Sequence, residues 1–412
     1  MRRILCIVSL LLGAASAASA QVTPARPDSA RADSIARADS VAALRELEGA
    51  ARDTTPVVGG GPVARLLPDI SVVGDMVADL SPEGSTQEDG SRFGIREVEV
   101  ALQSAVDPYF RGDVFLGVSD EEGIAIEQAY LTTTSLPYAV EVRLGRILMP
   151  FGKQNTTHRH DLHTTEYPYV IQRFFGAEGL KGTGVAASRL FAPFGFFQEL
   201  QVTVVDGLGE PVEGLGTQEP LNRKLGGLGY SARLRNYVDL SQSRNVELGF
   251  SALTGKRAQE IDVPADAPFN AVGVRQTTLG ADLTYRWRPL QQGLYRSLIV
   301  QAEVMRQLNG RADDLFDDVY LGPDRDFTGA YAFARYQLGQ RLFAGVRGDW
   351  VQDPQADGDE LRAGSAYLEF FPSEFSKLGA AFERLQPGSG DGVNRVLLQA
   401  TFALGPHKPH PF

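Results

Sequence analysis

Apolar and polar residues alternate along most of this chain, from about Leu66 to Leu404. In the stretch 278–288, for example, Leu279, Leu283 and Trp287 share one face, whereas Asp282 and Arg286 occupy the other. Successive side chains of a β-strand point to opposite faces, so such a segment has one apolar and one polar surface. Repeated runs of this kind, each followed by a turn, are typical of a transmembrane β-barrel.

The runs predict sixteen strands, at approximately 66–80, 92–106, 109–118, 123–134, 139–148, 180–190, 197–206, 227–239, 244–254, 276–288, 294–307, 326–338, 341–352, 361–371, 375–386 and 393–404. An even number is expected of a single-chain bacterial outer-membrane barrel. Short turns such as Asp107-Pro108 and Gly339-Gln340 follow the even strands, whereas mostly longer connections follow the odd ones. We therefore predict an all-β fold, a transmembrane antiparallel β-barrel of about 16 strands with its short turns in the periplasm.

The N-terminal segment differs from the predicted barrel. Arg2 and Arg3 precede an apolar run and then Ala18-Ser19-Ala20, which predicts a cleaved secretory signal over residues 1–20. The only cysteine, Cys6, lies in this signal, so the exported chain has no disulfide.

Three further segments complete the predicted organisation. Residues 21–63 contain the near-repeat ARADSI, ARADSV and predict a short periplasmic extension, helical or disordered, with a coiled coil or a cell-wall tether as alternatives. The barrel is expected over residues 64–404 and a C-terminal tail over 405–412. The tail holds His407 and His410, which we interpret as polar tail residues rather than a second metal pair.

Composition narrows the class of partner. The net charge of −11 argues against nucleic acid, which requires a concentrated basic surface. A barrel of sixteen strands is wider inside than side chains can fill, so a water-filled lumen is expected, with outer-membrane lipid around the barrel. We predict location in the outer membrane of a Gram-negative-type bacterium.

Charged residues of both signs occupy the polar face of the strands. The predicted lumen-facing set is Glu97, Glu99, Arg111, Asp113, Glu127, Glu141, Arg143, Arg233, Arg235, Glu247, Asp282, Arg286, Glu303, Arg335, Arg347, Asp349, Glu369 and Arg395. The signs nearly cancel, so neither cation nor anion preference follows. The interpretation we favour is that these charges pair across neighbouring strands.

Candidate chemistry lies in the long connection Pro150 to Lys181, which holds three of the five histidines. In an extended segment His158 and His160 share a face, with His163, Asp161 and Glu166 close by in sequence. Nitrogen and oxygen donors of this kind suit a divalent metal such as zinc. The alternatives are solvated loop histidines and a pH-dependent gate.

The segment GRILMPFGKQN (Gly145 to Asn155) resembles a stretch of the phosphate-selective porin O/P-like superfamily of outer-membrane porins, and the following histidines with FGAEGLKGTGVAASRL (Phe175 to Leu190) resemble a subgroup with a histidine-rich third loop. The resemblance implies a sixteen-stranded homotrimeric channel in which the third long loop folds inward. The implied pore constriction comprises Lys153, His158, Arg159, His160, Asp161, His163, Glu166 and Arg173. The mixed lumen charges depart from the arginine ladder of phosphate-selective porins, so no substrate follows.

These observations predict a porin, a water-filled channel for diffusion of small solutes or ions. Two alternatives stay open: a metal-binding protein that uses His158, His160 and His163, and a structural barrel with a plugged lumen. An enzyme is not expected, because no histidine lies on a predicted wall strand and the sequence holds no GxSxG, HExxH or P-loop motif.

Overall fold

A computed structural model of the chain describes residues 68–87, 90–119, 123–208, 225–260, 271–312, 326–354 and 358–406. The predicted signal at 1–20, the extension at 21–63 and most of the C-terminal tail lie outside the described residues. All the strands belong to the second of two compact units, Gly60–Phe412.

Most of the described chain is antiparallel sheet. The strands are β1 (Asp69–Asp79), β2 (Phe93–Ala105), β3 (Phe110–Ser119), β4 (Gly123–Thr133), β5 (Val140–Leu148), β6 (Lys181–Phe191), β7 (Phe197–Val205), β8 (Gly229–Ser241), β9 (Arg244–Glu260), β10 (Ala271–Trp287), β11 (Leu298–Ala312), β12 (Asp326–Gln337), β13 (Leu342–Gln352), β14 (Glu360–Ser373), β15 (Ser376–Gln386) and β16 (Val393–Leu404). Within the described residues the other elements are one α-helix, α1 (Tyr169–Phe175), and 3₁₀ turns at Pro137–Ala139, Gln154–Thr156, Arg159–Asp161 and Leu225–Gly227.

The sheet closes on itself. Each strand pairs with its sequence neighbours, and β1 pairs with β16, so that Asp75 lies opposite Glu97 on one side and Thr401 on the other. Closure leaves no unpaired sheet edge, which the interior of a membrane requires. The predicted barrel of sixteen antiparallel strands is confirmed.

The strand limits mostly agree with the prediction to within a few residues. The main difference is that three strands are longer than predicted. β9 continues to Glu260, β10 already begins at Ala271, and β11 continues to Ala312. These extensions fall in stretches with weaker alternation, where backbone pairing rather than side-chain pattern continues the ladder.

The two faces of the wall differ in polarity. Phe382 on β15 is 51% exposed on the outer face, whereas its neighbour Glu383 is 6% exposed on the inner face. Val346 and Arg347 on β13 repeat this contrast. Exposed apolar residues outside and buried charges inside reverse the arrangement of a soluble protein. The outer face therefore suits contact with lipid hydrocarbon.

None of the helices in the described part of the chain is long and apolar enough to cross a membrane. The connection between β5 and β6, residues 149–180, contains α1. The alternation did not predict this helix.

Candidate functional site within the barrel

The connection over residues 149–180, here called the inner loop, is closed at its base by one side chain. Asn155 is fully buried, and its Nδ2 donates to the carbonyl oxygens of Met149, at 2.8 Å, and Leu180, at 3.0 Å. Its Oδ1 accepts from the Leu180 N–H at 2.7 Å. One amide thus holds the two ends of the loop together.

The helical part of the inner loop packs against inward-facing residues of the wall. Val170, Ile171 and Phe174 of α1 are at most 1% exposed and belong to one apolar cluster with residues of β11 to β14. Gly329 on β12 makes room for this contact, since a Cβ there would lie about 2.5 Å from Cγ2 of Val170. Glycine in a strand interior commonly marks such a close approach.

The segment before the helix is tied to the β9 and β11 walls by charged groups. Lys153 Nζ donates to both carboxylate oxygens of Glu247, at 2.8 and 2.9 Å. The N–H groups of Lys153 and Gln154 donate to Oε1 of Glu303, at 2.7 and 2.8 Å. Charge-assisted hydrogen bonds of this kind are stronger than neutral ones.

A second set of contacts ties the same segment to β13, β15 and β16. Arg395 makes a two-pronged ion pair with Glu166 at 2.9 and 3.0 Å and also reaches Glu383 at 2.9 Å. Arg347 donates to the Thr164 hydroxyl and the Glu166 carbonyl, both at 2.8 Å.

The wall contacts of the inner loop thus come from strands all around the barrel. Such contacts are possible only if the loop lies inside the barrel.

The structure brings two of the three loop histidines together. His158 Nδ1 lies 2.7 Å from Oε2 of Glu99 on β2, and His160 Nδ1 lies 4.0 Å from the same oxygen. The two imidazole rings are 5.5 Å apart between centroids. Both rings lie toward Glu99 on β2, although the chain forms a 3₁₀ turn at Arg159–Asp161 rather than the extended segment that the prediction assumed.

The expected three-histidine metal set needs correction, because His163 lies elsewhere. Its Nδ1 is 4.0 Å from Glu369 on β14, and its ring meets the edge of Phe333 on β12 at 6.0 Å. The 3₁₀ turn at Arg159–Asp161 redirects the chain between the two positions. Within the described residues, the group that brings donor atoms together is Glu99, His158 and His160.

The ionisation of the loop groups follows their partners. Burial opposes the charge on His158, but the Glu99 carboxylate outweighs it and raises the pKa of His158 to about 9. Burial, together with Arg335 and Lys377, lowers the pKa of His163 well below its ordinary value. The two histidines therefore differ in charge at neutral pH.

Three further loop groups respond to burial and charge in different ways. Burial would raise the pKa of Glu166, yet Arg395 lowers it to about 2. Burial lowers the pKa of Lys153 to about 8, although Glu247 favours its charged form. Burial also lowers the pKa of Arg159, with Arg96 acting in the same direction.

The two remaining residues of the expected constriction, Asp161 and Arg173, have side chains that are partly exposed to solvent. Asp161 Oδ1 is 3.7 Å from His160 Nε2, and its side chain is partly exposed. Arg173 on α1 has its Nε 3.2 Å from Oδ2 of Asp353, beyond the end of β13.

The predicted lumen charges lie on the inner face and are extensively paired. The ion pairs join Arg111 to Asp113, Arg143 to Glu141, Arg233 to Asp282, Arg235 to Glu199 and Glu247, Arg286 to Glu247, Arg335 to Glu369, and Arg347 to Asp349 and Glu383. Several cross between strands, in agreement with the interpretation of paired charges. Glu97 and Glu127 approach each other beside Gly117.

Several partners of the inner loop were missed by the sequence reasoning. Lys377 and Glu383 on β15 and Gln128 on β4 contact the loop directly. Asp75 on β1 acts indirectly, because it binds Arg96, which in turn donates to the Thr165 carbonyl oxygen of the loop. Lys377 and Glu383 occupy inward positions of a strand that was predicted, so the alternation contained the signal for them. The contact of Gln128 with His158 depends on the path of the loop and carried no such signal.

Comparison by sequence gives one relative. An uncharacterized protein of Aquifex aeolicus (strain VF5) is 27% identical over 352 residues, which cover 78% of this chain and 70% of that protein. No family model matches the chain. The resemblance to phosphate-selective porins therefore stays a prediction.

Comparison of structures gives the fold. OmpT of Vibrio cholerae, as a loop L8 deletion mutant, has a TM-score of 0.52 at 11% identity and covers 82% of this chain and 99% of its own. The outer membrane channel DcaP of Acinetobacter baumannii has a TM-score of 0.51 at 12% identity, and the match covers 82% of this chain and 96% of DcaP. OprB of Pseudomonas putida has the same TM-score and identity, with 82% and 94% covered.

These likenesses, together with the apolar outer face, define the class. The chain has the closed sixteen-stranded β-barrel fold of these outer-membrane proteins.

Proposed function

We propose that the chain is a porin, an outer-membrane channel through which small solutes or ions diffuse, and that the inner loop narrows it. The observation that carries the proposal is the inner loop itself, held inside a closed barrel by contacts with several walls. A loop in that position reduces the cross-section of the lumen without adding a second domain. The resembling channel DcaP adds support at the level of fold.

The charged residues of the lumen argue against strong selectivity for either cations or anions. Most arginines of the inner face have a carboxylate within ion-pair distance, as for Arg233 and Asp282 at 3.1 Å. A paired wall presents little net charge to a passing ion, whereas strong selectivity needs rings or rows of one sign. We expect weak discrimination between cations and anions.

Planar-bilayer recording of the purified full chain tests the channel. Stepwise conductance is expected; a sealed barrel with no conductance would instead support the plugged structural barrel. Reversal potentials in a salt gradient then measure the ion preference.

Narrowing by the loop has its own test. Phe174→Ala removes a 1%-exposed anchor of α1 and should raise or destabilise the single-channel conductance, because the helix loosens from the wall. Phe194→Ala, at an exposed turn, is the matched control. Equal conductance in both variants and the wild type would reject narrowing but retain the channel.

A homotrimer is proposed with the porin function, as the resemblance implies. The solved OmpT includes a trimer form. Sedimentation equilibrium in detergent measures the assembly, and a monomeric mass would reject it. The proposed function contains no catalytic step.

A further inference from the structure

We propose that Glu99, His158 and His160 form a binding site for one zinc-like divalent cation between β2 and the inner loop. This site goes beyond diffusion through the channel. It uses one wall residue and two loop residues, so a bound ion would fasten the loop to β2.

The donor atoms are already close together. One nitrogen of each histidine and one Glu99 oxygen lie within 4.8 Å of one another. Zinc–nitrogen bonds of about 2.0–2.1 Å in a tetrahedron separate ligand atoms by about 3.4 Å. The Glu99 oxygen is 2.7 Å from His158 and 4.0 Å from His160, so shifts of less than about 1 Å would give metal geometry.

An ordinary ion pair does not explain the arrangement. Glu99 needs only His158 for a hydrogen bond, yet His160 is held beside it at a distance too long for one. The side chains of Glu99 and His160 are 5% and 4% exposed. His160 Nε2 also lies 3.7 Å from Asp161, while its Nδ1 stays within reach of the Glu99 oxygen that pairs with His158. Two imidazole nitrogens around one carboxylate oxygen are an arrangement that a shared metal ion could use.

Neighbouring groups fix the orientation of both histidines. The Gln128 amide lies 2.9 Å from Nε2 of His158, which turns Nδ1 toward Glu99. Phe115 packs against the same ring at 5.1 Å between centroids. Lys377 Nζ donates to the carbonyl oxygen of His160 at 2.7 Å and so holds its backbone. Metal-binding histidines are commonly positioned by such outer contacts.

The surrounding charge favours a cation. Glu97 and Asp161 act on His158 as negative neighbours in addition to Glu99. Lys181 pairs with Glu127 and Glu178 and so neutralises part of the acidic cluster further along the wall. The remaining carboxylates lie beside the two histidines.

The ligand types identify the class of ion. Imidazole nitrogens suit zinc, copper and nickel, whereas calcium and magnesium prefer all-oxygen sites. Three protein ligands leave a fourth position for water, and the His158 side chain, 22% exposed, gives solvent access to the site.

The experiment uses the full chain, folded in detergent, with His407→Ala and His410→Ala introduced to remove tail histidines. Isothermal titration with ZnCl₂ should give one ion per chain. His158→Ala, His160→Ala and Glu99→Gln should each weaken binding by at least about tenfold. His163→Ala is the matched control and should leave the affinity within about twofold, because His163 lies against β14.

X-ray absorption of the zinc-loaded protein needs no ligand substitution and covers the case of a variant that does not fold. Two imidazoles at about 2.0–2.1 Å are expected. No zinc binding, one imidazole or none, or equal affinity in all variants would overturn the site. Each of these results is independent of whether the barrel conducts.

Discussion

The two halves of the inner loop are held in the barrel by different forces. Residues 167–175 form an apolar half, in which Val170 and Ile171 are fully buried and pack against wall side chains. Residues 153–166 form a polar half, in which Lys153 and Glu166 pair with charged wall residues. The halves are adjacent in sequence and share one lumen.

Because of this difference, one part of the loop can keep its position while the other responds to pH and to ions. Apolar packing depends on contact area and responds little to salt or pH, because no charge is involved. Ion pairs respond to protonation and lose their stability when one partner is removed. We expect the apolar half to fix the position of the loop and the polar half to respond to pH and to ions.

The largest effect is expected from Arg395→Met in the polar half. It leaves Glu166 buried without its main counter-charge, and losing one partner of a buried pair costs about 3–5 kcal/mol. Hydrogen exchange of the amides over 162–169 measures the free energy of local opening. The double variant Arg395→Met/Glu166→Gln should recover part of the loss, and strict additivity would contradict the ion-pair explanation.

A comparable but somewhat smaller effect is expected from Ile171→Ala in the apolar half. Truncation of a fully buried isoleucine costs about 2–5 kcal/mol, because a cavity remains. Exchange of the α1 amides should accelerate equally at low and high salt. A strong salt dependence would show that charges hold this half as well.

Acidification should loosen the polar half more than the apolar half, in which Tyr169 contacts Asp349 and Glu383 and Arg173 contacts Asp353. The pKa of Glu166 is lowered to about 2 from its ordinary value of 4.5, so its stabilising contribution is present above pH 4.5 and is lost as pH falls through about 2. Exchange rates corrected for intrinsic pH dependence should rise at 162–166 between pH 5 and 2. Glu166→Gln should remove most of that change, and an equal response in the variant would assign the pH effect to other groups.

The smallest effect is expected from Arg306→Met. Its partner Asp326 lies 2.6 Å away, but the two side chains are 58% and 42% exposed. Exposed ion pairs contribute about 0–1 kcal/mol, so conductance and loop exchange should match the wild type. If Arg306→Met lowered the free energy of local opening as much as Arg395→Met does, burial would not explain the difference in strength between these ion pairs.

Much of the wall could be predicted because its signal is local. In β16 the polar and apolar residues alternate, which indicates the side that faces the lumen: Arg395, Gln399 and Thr401 lie on one face, Val396 and Leu398 on the other. The strand ends at Leu404, as predicted. A period of two is set by strand geometry alone, so it is readable without knowledge of the neighbours.

The candidate site was only partly predictable. His158 and His160 do lie together, but the chain forms a 3₁₀ turn there rather than the extended segment that the prediction assumed. Their partner Glu99 is about sixty residues away in sequence. The structure places His163 beside Glu369 on β14 instead, beyond the turn at Arg159–Asp161. The short helix α1 carries apolar residues on most of its surface, so it gave no helical period to recognise.

The sequence by itself determined the strand number and the two faces of the wall, because strand periodicity and turn chemistry act over a few residues. Only the tertiary structure decided which wall charges meet the loop. Tyr169 donates its N–H to Asp349, 180 residues further along the chain, once the barrel has closed. Such contacts depend on the register and closure of all sixteen strands together, which no local pattern encodes.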